Sequence, residues 1–137
     1  MKDQRGTASL EFAIVVLLLL SMIYGLITFG FIFALNHNLS LAASEGARSA
    51  IQRSHTTATN ADIETFAEAN ALQRLSFQAA RTKAVIAASV DPCVNDPAID
   101  CITVTIDYDW DANPIIPELF GIGTPNTLNA TAVVQLD

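Results

Sequence analysis

The chain has 137 residues, 14 acidic side chains against 7 basic ones, and a mean hydropathy of +0.38. That length allows one domain with an appended element, and 51% hydrophobic residues exclude a disordered acidic tail. Residues 84–137 hold 8 acids and no base, which also excludes a nucleic-acid binder, because phosphate would be repelled.

Charged residues make up 15% of the chain, against about 25% in an ordinary soluble domain. The shortfall is local: residues 12–44 contain no Asp, Glu, Lys or Arg. Residues 12–35 are mostly Val, Leu, Ile and Phe. As a helix this run would be roughly 36 Å long, enough to cross a hydrocarbon core of about 30 Å. A cleaved secretory signal has an apolar core of only about 7–15 residues, and the small-residue segment Ser40-Leu41-Ala42 lies too far along to end one. A single membrane-anchored helix is expected. Lys2 and Arg5 precede it and an acidic half follows, so the N-terminus is expected in the cytoplasm and the bulk of the chain outside.

Glu11 stands at the edge of the apolar run. An acid in a membrane segment is costly without a partner, which makes it a functional candidate. The plainer reading is that it marks the helix end and reaches the headgroups. The run Arg5-Gly6-x-x-x-Leu10-Glu11-Phe12-Ala13 resembles the processing site of type IV prepilins. It is most similar to the TadE-like minor pseudopilins of the tight-adherence (Flp) pilus system, which also carry a small-residue stretch closing in Gly-Ala-Arg. Here that stretch is Leu41-Ala42-Ala43-Ser44-Glu45-Gly46-Ala47-Arg48. The resemblance implies a leader of residues 1–6, cut after Gly6 by a prepilin peptidase so that Thr7 becomes the first mature residue. Glu11 is then the fifth, followed by Phe12, and its carboxylate would meet the new α-amine and set register between helices. The implied location is a bacterial inner membrane, with a periplasmic domain and pilus association after assembly. The implied partners, besides membrane lipid, are the peptidase, a second minor pseudopilin, the major Flp pilin and the inner-membrane platform. The implied role is pilus initiation, assembly or tip formation, for adherence and biofilm growth.

Leu35, Leu39, Ala42, Gly46 and Ala50 recur at spacings of three and four, so the helix is expected to run on from residue 8 to about residue 52. Its far half offers a narrow face of small residues, including Gly46 and Ala47 before Arg48, that another helix could approach. Ser21 and Gly25 form a weak small-xxx-small pair in the apolar half. Residues 54–60 read as a polar turn, and Thr59-Asn60-Ala61-Asp62 as a helix cap. Residues 62–89, with Ile63, Phe66, Leu72, Leu75, Val85 and Ile86, read as one or two amphipathic helices with a bend near 75–78.

Cys93 and Cys101 lie in the exported part, with Pro92 and Pro97 bending the segment. An oxidising compartment favours a small disulfide loop, worth roughly 2–3 kcal/mol in the chain-entropy model. The alternatives are two free thiols or half of a metal site. From Cys101 the period becomes two: Ile102, Val104, Ile106, Tyr108 and Trp110 share one face and Thr103, Thr105, Asp107, Asp109 and Asp111 the other. Leu128, Ala130, Ala132, Val134 and Leu136 repeat the pattern. The two strands are expected to pair antiparallel beneath the 62–89 helix. The fold class is α+β: leader 1–6, transmembrane and stalk helix 7–53, and a periplasmic domain 54–137.

Asp107, Asp109, Asp111 and Glu118 match calcium-loop positions 1, 3, 5 and 12. Ala112 stands where such a loop needs Gly, and Pro114 and Pro117 interrupt it. A solvated strand face followed by a turn is the preferred reading, and no metal or cofactor is expected. His37 and His55 are isolated, Ser54-His55 lacks an oriented acid, and Gly121-x-Gly123 lacks the strand–helix context of a nucleotide loop. No catalytic set is found, so the chain is expected to be an enzyme's substrate rather than an enzyme. The alternatives are a signal-anchored periplasmic binding module unrelated to pili, and a membrane-bound hydrolase.

Overall fold

The computed structural model describes residues 5–117 and 123–136. The apolar run forms the first part of α1 (Arg5–Ser54), an unbroken helix of 50 residues. It is followed by α2 (Asn60–Arg74), α3 (Gln78–Lys83), β1 (Val85–Pro92), β2 (Asp100–Asp109) and β3 (Thr127–Leu136). The strands form one antiparallel sheet in the order β1-β2-β3.

α1 serves two environments. Up to Ile27 its large apolar side chains face outward: Leu10, Phe12, Leu17, Leu18 and Leu26 are all exposed. From Thr28 a buried stripe begins, through Ile32, Leu35, Leu39, Ala42, Ala43, Ala47 and Ala50. The three- and four-residue spacing brings these onto one face, and that face packs on β3, β2 and α2. The far half of α1 is therefore a layer of the domain core.

The α1–α2 contact is close because its residues are small. Gly46 sits where an added Cβ would lie 2.8 Å from Ala71 Cβ and 2.9 Å from the Ala67 carbonyl oxygen. Ala67 and Ala71 are fully buried on α2. At the open end of the pair, the Arg53 guanidinium lies 5.8 Å from the centre of the Phe66 ring, a cation–π contact.

α2 begins with a capping box. The Asp62 N–H donates to Thr59 Oγ1 at 3.3 Å, and the Thr59 N–H donates to Asp62 Oδ2 at 3.1 Å. The backbone and hydroxyl hydrogen bonds from Thr59 hold the Asp62 carboxyl below its usual pKa, with a smaller push from Arg53. A lowered carboxyl pKa stabilises the fold above the unfolded value, and that contribution is lost as pH falls through the folded value. Thr59→Ala is expected to cost about 1 kcal/mol near neutral pH. Asp62→Asn should flatten the acid limb of the stability profile. Urea midpoints measured from pH 7 down to pH 2.5 check both, and parallel profiles for wild type and Asp62→Asn would refute the cap.

β2 is the central strand. Ile102, Val104, Ile106 and Tyr108 point inward and are fully buried, as is Trp110 just beyond the strand. Trp110 and Tyr108 meet edge to face, with centroids 6.5 Å apart. Burial pushes the Tyr108 pKa up, and its hydroxyl donates to the Asn113 carbonyl at 2.7 Å. Leu128, Ala130 and Leu136 of β3 are buried on the same side.

Two sequence expectations change. The segment read as continuing helix to residue 89 breaks after Lys83, and Val85 and Ile86 open strand β1 instead. Alanine at positions 84, 87 and 88 suits a helix, but the unpaired edge of β2 offers eight partners, from Val85 opposite Asp107 to Pro92 opposite Asp100. Pairing outweighs propensity here. The sheet's cover also differs: α1 packs on β2 and β3, and α2 packs chiefly on β1.

The outer edge of β1 is closed by side chains. The Ala88 N–H donates to Glu68 Oε1 at 3.0 Å and the Val90 N–H to Glu64 Oε1 at 2.9 Å. Glu64 and Glu68 are four apart on α2 and so share a face. They occupy donors that would otherwise invite another strand. Between β1 and β2, Cys93 and Cys101 form a disulfide with Cα atoms 5.0 Å apart. The Cys93 N–H donates to the Ile99 carbonyl at 2.8 Å inside the same loop.

Candidate functional site

The candidate site is the exposed half of α1. Gly6 and Thr7 lie in its first turns, and residues 1–4 of the expected leader lie outside the described residues. Glu11 is exposed on the helix surface and Phe12 is 69% exposed. From Phe12 to Ile27, Glu11 is followed only by uncharged side chains. The helix here is long and apolar enough to cross a membrane. Two hydroxyls in this part of α1 bond to the helix's own backbone. Ser21 Oγ donates to the Leu18 carbonyl at 2.8 Å, and Thr28 Oγ1 to the Tyr24 carbonyl at 2.9 Å. Such groups are satisfied without water, as hydrocarbon requires. Gly25, the other half of the small pair with Ser21, is half-buried.

The domain reaches down onto this helix. The Tyr24 hydroxyl donates to the Pro117 carbonyl. Phe31 meets Phe77 edge to face with centroids 5.4 Å apart. Higher up, the Asn38 side chain accepts from the Ser76 N–H at 3.1 Å and donates to Ser76 Oγ at 3.3 Å. Nothing in the local sequence signals these contacts, because the partners lie 38 to 93 residues apart.

Of the second motif, Gly46 and Ala47 are buried in the domain and Arg48 is exposed. Arg48 lines an open polar groove between α1 and α2 with Glu45, Ser49, Asn70 and Arg74. The face of small residues thus meets a helix of its own chain. Two of the acidic residues weighed for calcium have hydrogen-bond partners of their own. Asp107 Oδ1 accepts from Asn129 Nδ2 at 2.5 Å across the outer sheet face. Asp109 Oδ1 accepts from the Ala112 N–H at 2.9 Å in the following turn. Asp111 is exposed in that turn, and Glu118, like Gly121, lies outside the described residues. Among the described residues no three His, Cys, Asp or Glu side chains gather as a metal site. His37 and His55 are both exposed.

A helix with Gly6 in its first turn, Glu11 and Phe12 at the head of its exposed part, and Gly46-Ala47-Arg48 on its far half can be compared with known families. Residues 6–48 match the TadE-like protein family. The match begins at the glycine expected to end the leader and stops at the arginine of the second motif. The TadE-like segment is thus the greater part of α1, about a third of the chain. It includes both the exposed apolar half and the face that receives α2. Comparison with curated proteins gave no match, and comparison with solved structures gave none either.

Proposed function

We propose that this protein is a minor pseudopilin of a tight-adherence pilus system, anchored once in the bacterial inner membrane with its α+β domain in the periplasm. The observation that carries the reading is Glu11, a charged residue at the head of an exposed apolar helix and inside the TadE-like match. Lys2 and Arg5 before the apolar run and the acidic half after it favour a cytoplasmic N-terminus. A prepilin peptidase cuts after Gly6, where the missing Cβ suits an extended backbone in a cleft. Cutting frees the α-amine of Thr7. That cation pairs with the Glu11 carboxylate of the same or a neighbouring subunit. A charge pair of this kind is tolerated in an apolar setting where a lone charge is not, and it sets register more than it adds stability.

The protein then acts in pilus initiation, assembly or the tip complex, and so in adherence and biofilm formation. It works with a second minor pseudopilin, the major Flp pilin and the inner-membrane platform. The role is structural, and the chain is a substrate of the peptidase. Co-expression with a prepilin peptidase followed by intact-mass spectrometry tests the reading. Loss of residues 1–6, giving a start at Thr7, is expected. An unchanged mass would favour a signal-anchored module unrelated to pili. Glu11→Ala should leave insertion intact and remove the protein from assembly complexes, and normal incorporation of that variant would sink the role of Glu11.

A further inference from the structure

The depth at which the domain grips α1 conflicts with a domain standing clear of the bilayer. Tyr24 is 13 residues beyond Glu11 and Phe31 is 20, or about 20 Å and about 30 Å along the helix. The hydrocarbon core is about 30 Å thick. With Glu11 at the inner boundary, Tyr24 lies about 10 Å inside the outer one. A tyrosine side chain is shorter than that shortfall, so Pro117, which accepts the Tyr24 hydroxyl, falls within the outer leaflet. Tilting the helix reduces its rise along the membrane normal and takes Pro117 deeper. Sliding α1 outward would clear the loop only by drawing Glu11, with the Thr7 amine proposed to pair with it, into hydrocarbon, where even paired charges keep a desolvation cost.

The chemistry of the contacts changes with height in the matching order. At the level of Tyr24 the domain presents Pro117, which closes the uncharged run Asn113-Pro114-Ile115-Ile116-Pro117. Pro114 and Pro117 are exposed there, and Ile115 and Ile116 half-buried. At the level of Phe31, near the outer boundary, it presents Phe77. At Asn38, about 40 Å from Glu11, the contact turns polar and is made by Ser76. Aromatic side chains favour the interface, and apolar side chains settle about 5–10 Å into it.

We infer that the loop of residues 114–117, with Phe77, is seated in the outer leaflet of the membrane, so that the domain is held at the bilayer surface by lipid as well as by α1. This rests on reading α1 as a membrane anchor. Lipid tails then cover Ile116 and the prolines, and the whole domain loses rocking freedom about α1. Leaving the membrane requires the loop to come out together with the helix.

The test uses the full chain with its disulfide intact, in phosphatidylcholine–phosphatidylglycerol vesicles. Nitroxide labels are placed singly at Ile116→Cys and Pro114→Cys, and for reference at Met22→Cys on the exposed helix and Val133→Cys on the outer sheet face. Collision with oxygen is compared with collision with a water-soluble nickel chelate. The ratio of oxygen to nickel accessibility at 116 and 114 is expected to exceed that at 133 by several-fold and to approach that at 22. Values at 116 and 114 equal to that at 133, with 22 still shielded, would overturn the inference and leave the anchor standing. Nickel access at 22 would overturn the anchor and the inference together. Pro114 is exposed, so its replacement keeps the test decisive should Ile116→Cys fold poorly.

Discussion

Trp110→Ala is expected to cost the domain about 3–5 kcal/mol, most of the stability of a marginal fold. Trp110 is the only tryptophan in the chain and is fully buried. Its ring closes the end of the core against Tyr108, while the Trp110 backbone N–H donates to the Asn126 carbonyl at 2.9 Å, joining the exit of β2 to the approach of β3. Removing the ring leaves a cavity between elements already fixed by sheet pairing, so little of it can collapse. Trp110→Phe is expected to cost less than half as much. It keeps an aromatic against Tyr108, and it removes a buried indole Nε1 that has no acceptor among the described residues. Urea unfolding followed by far-UV circular dichroism, which does not depend on the tryptophan signal, checks both variants. A cost below about 1 kcal/mol for Trp110→Ala, no more than an average substitution, would mean that the ring is not the core's end plate.

The second large effect is at Gly46. In a helix interior, Gly→Ala normally gains up to about 1 kcal/mol. Here the new methyl would meet the Ala71 Cβ and the Ala67 carbonyl at under 3.0 Å. Neither is the far end of a flexible side chain, so α1 and α2 must separate. Overpacking of this kind costs about 1–3 kcal/mol, and Gly46→Ala is expected to be destabilising on balance, with Gly46→Val worse. Gly30 of the same helix has nothing within 4 Å of an added Cβ, so Gly30→Ala should not lower the melting temperature. Opposite responses at the two glycines are the diagnostic result. A rise in melting temperature at both would show that α1 and α2 are not in such close contact.

The Gly46 contact bears on the TadE-like match. The small residues that close the matched segment receive α2 of the same chain, so a substitution there would act on the proposed assembly role first through folding of the domain. Glu11 is different. It lies far from the domain core on an exposed helix, so its substitution tests assembly without the same confusion. Work on the two motifs should therefore include a stability measurement for Gly46 variants and an insertion measurement for Glu11 variants.

Much of the fold is legible in the residues because local periodicity reports local environment. The spacing of Leu35, Leu39, Ala42, Gly46 and Ala50 marks the face of α1 that is buried. Alternation marks both long strands, with Ile102, Val104, Ile106 and Tyr108 turned inward. Thr59 and Asp62 mark the start of α2 through a hydrogen-bonding pattern that spans three residues. The cysteine pair, eight residues apart in sequence, is close enough to join by its own loop. β1 escaped this reading. Its core-facing Ile86, Ala88 and Val90 are only half-buried, and its alanines carry a helical preference. Its identity depends on the edge of β2 and on the two α2 glutamates that close its outer side.

By itself, then, the sequence determined an uncharged helix long enough for a membrane, a lone acid at its head, an acidic half with a closely spaced cysteine pair and two alternating strands. These are properties of neighbours in the chain, set by periodicity, charge and short loop closure. Only the tertiary structure decided that α1 joins an exposed apolar half to a half buried in the core, that its small residues receive α2, that a third strand completes the sheet, and that Tyr24 and Phe31 are gripped from residues 117 and 77. Those outcomes depend on which surfaces meet when distant segments bury their apolar faces together. No window of sequence contains both sides of such a contact.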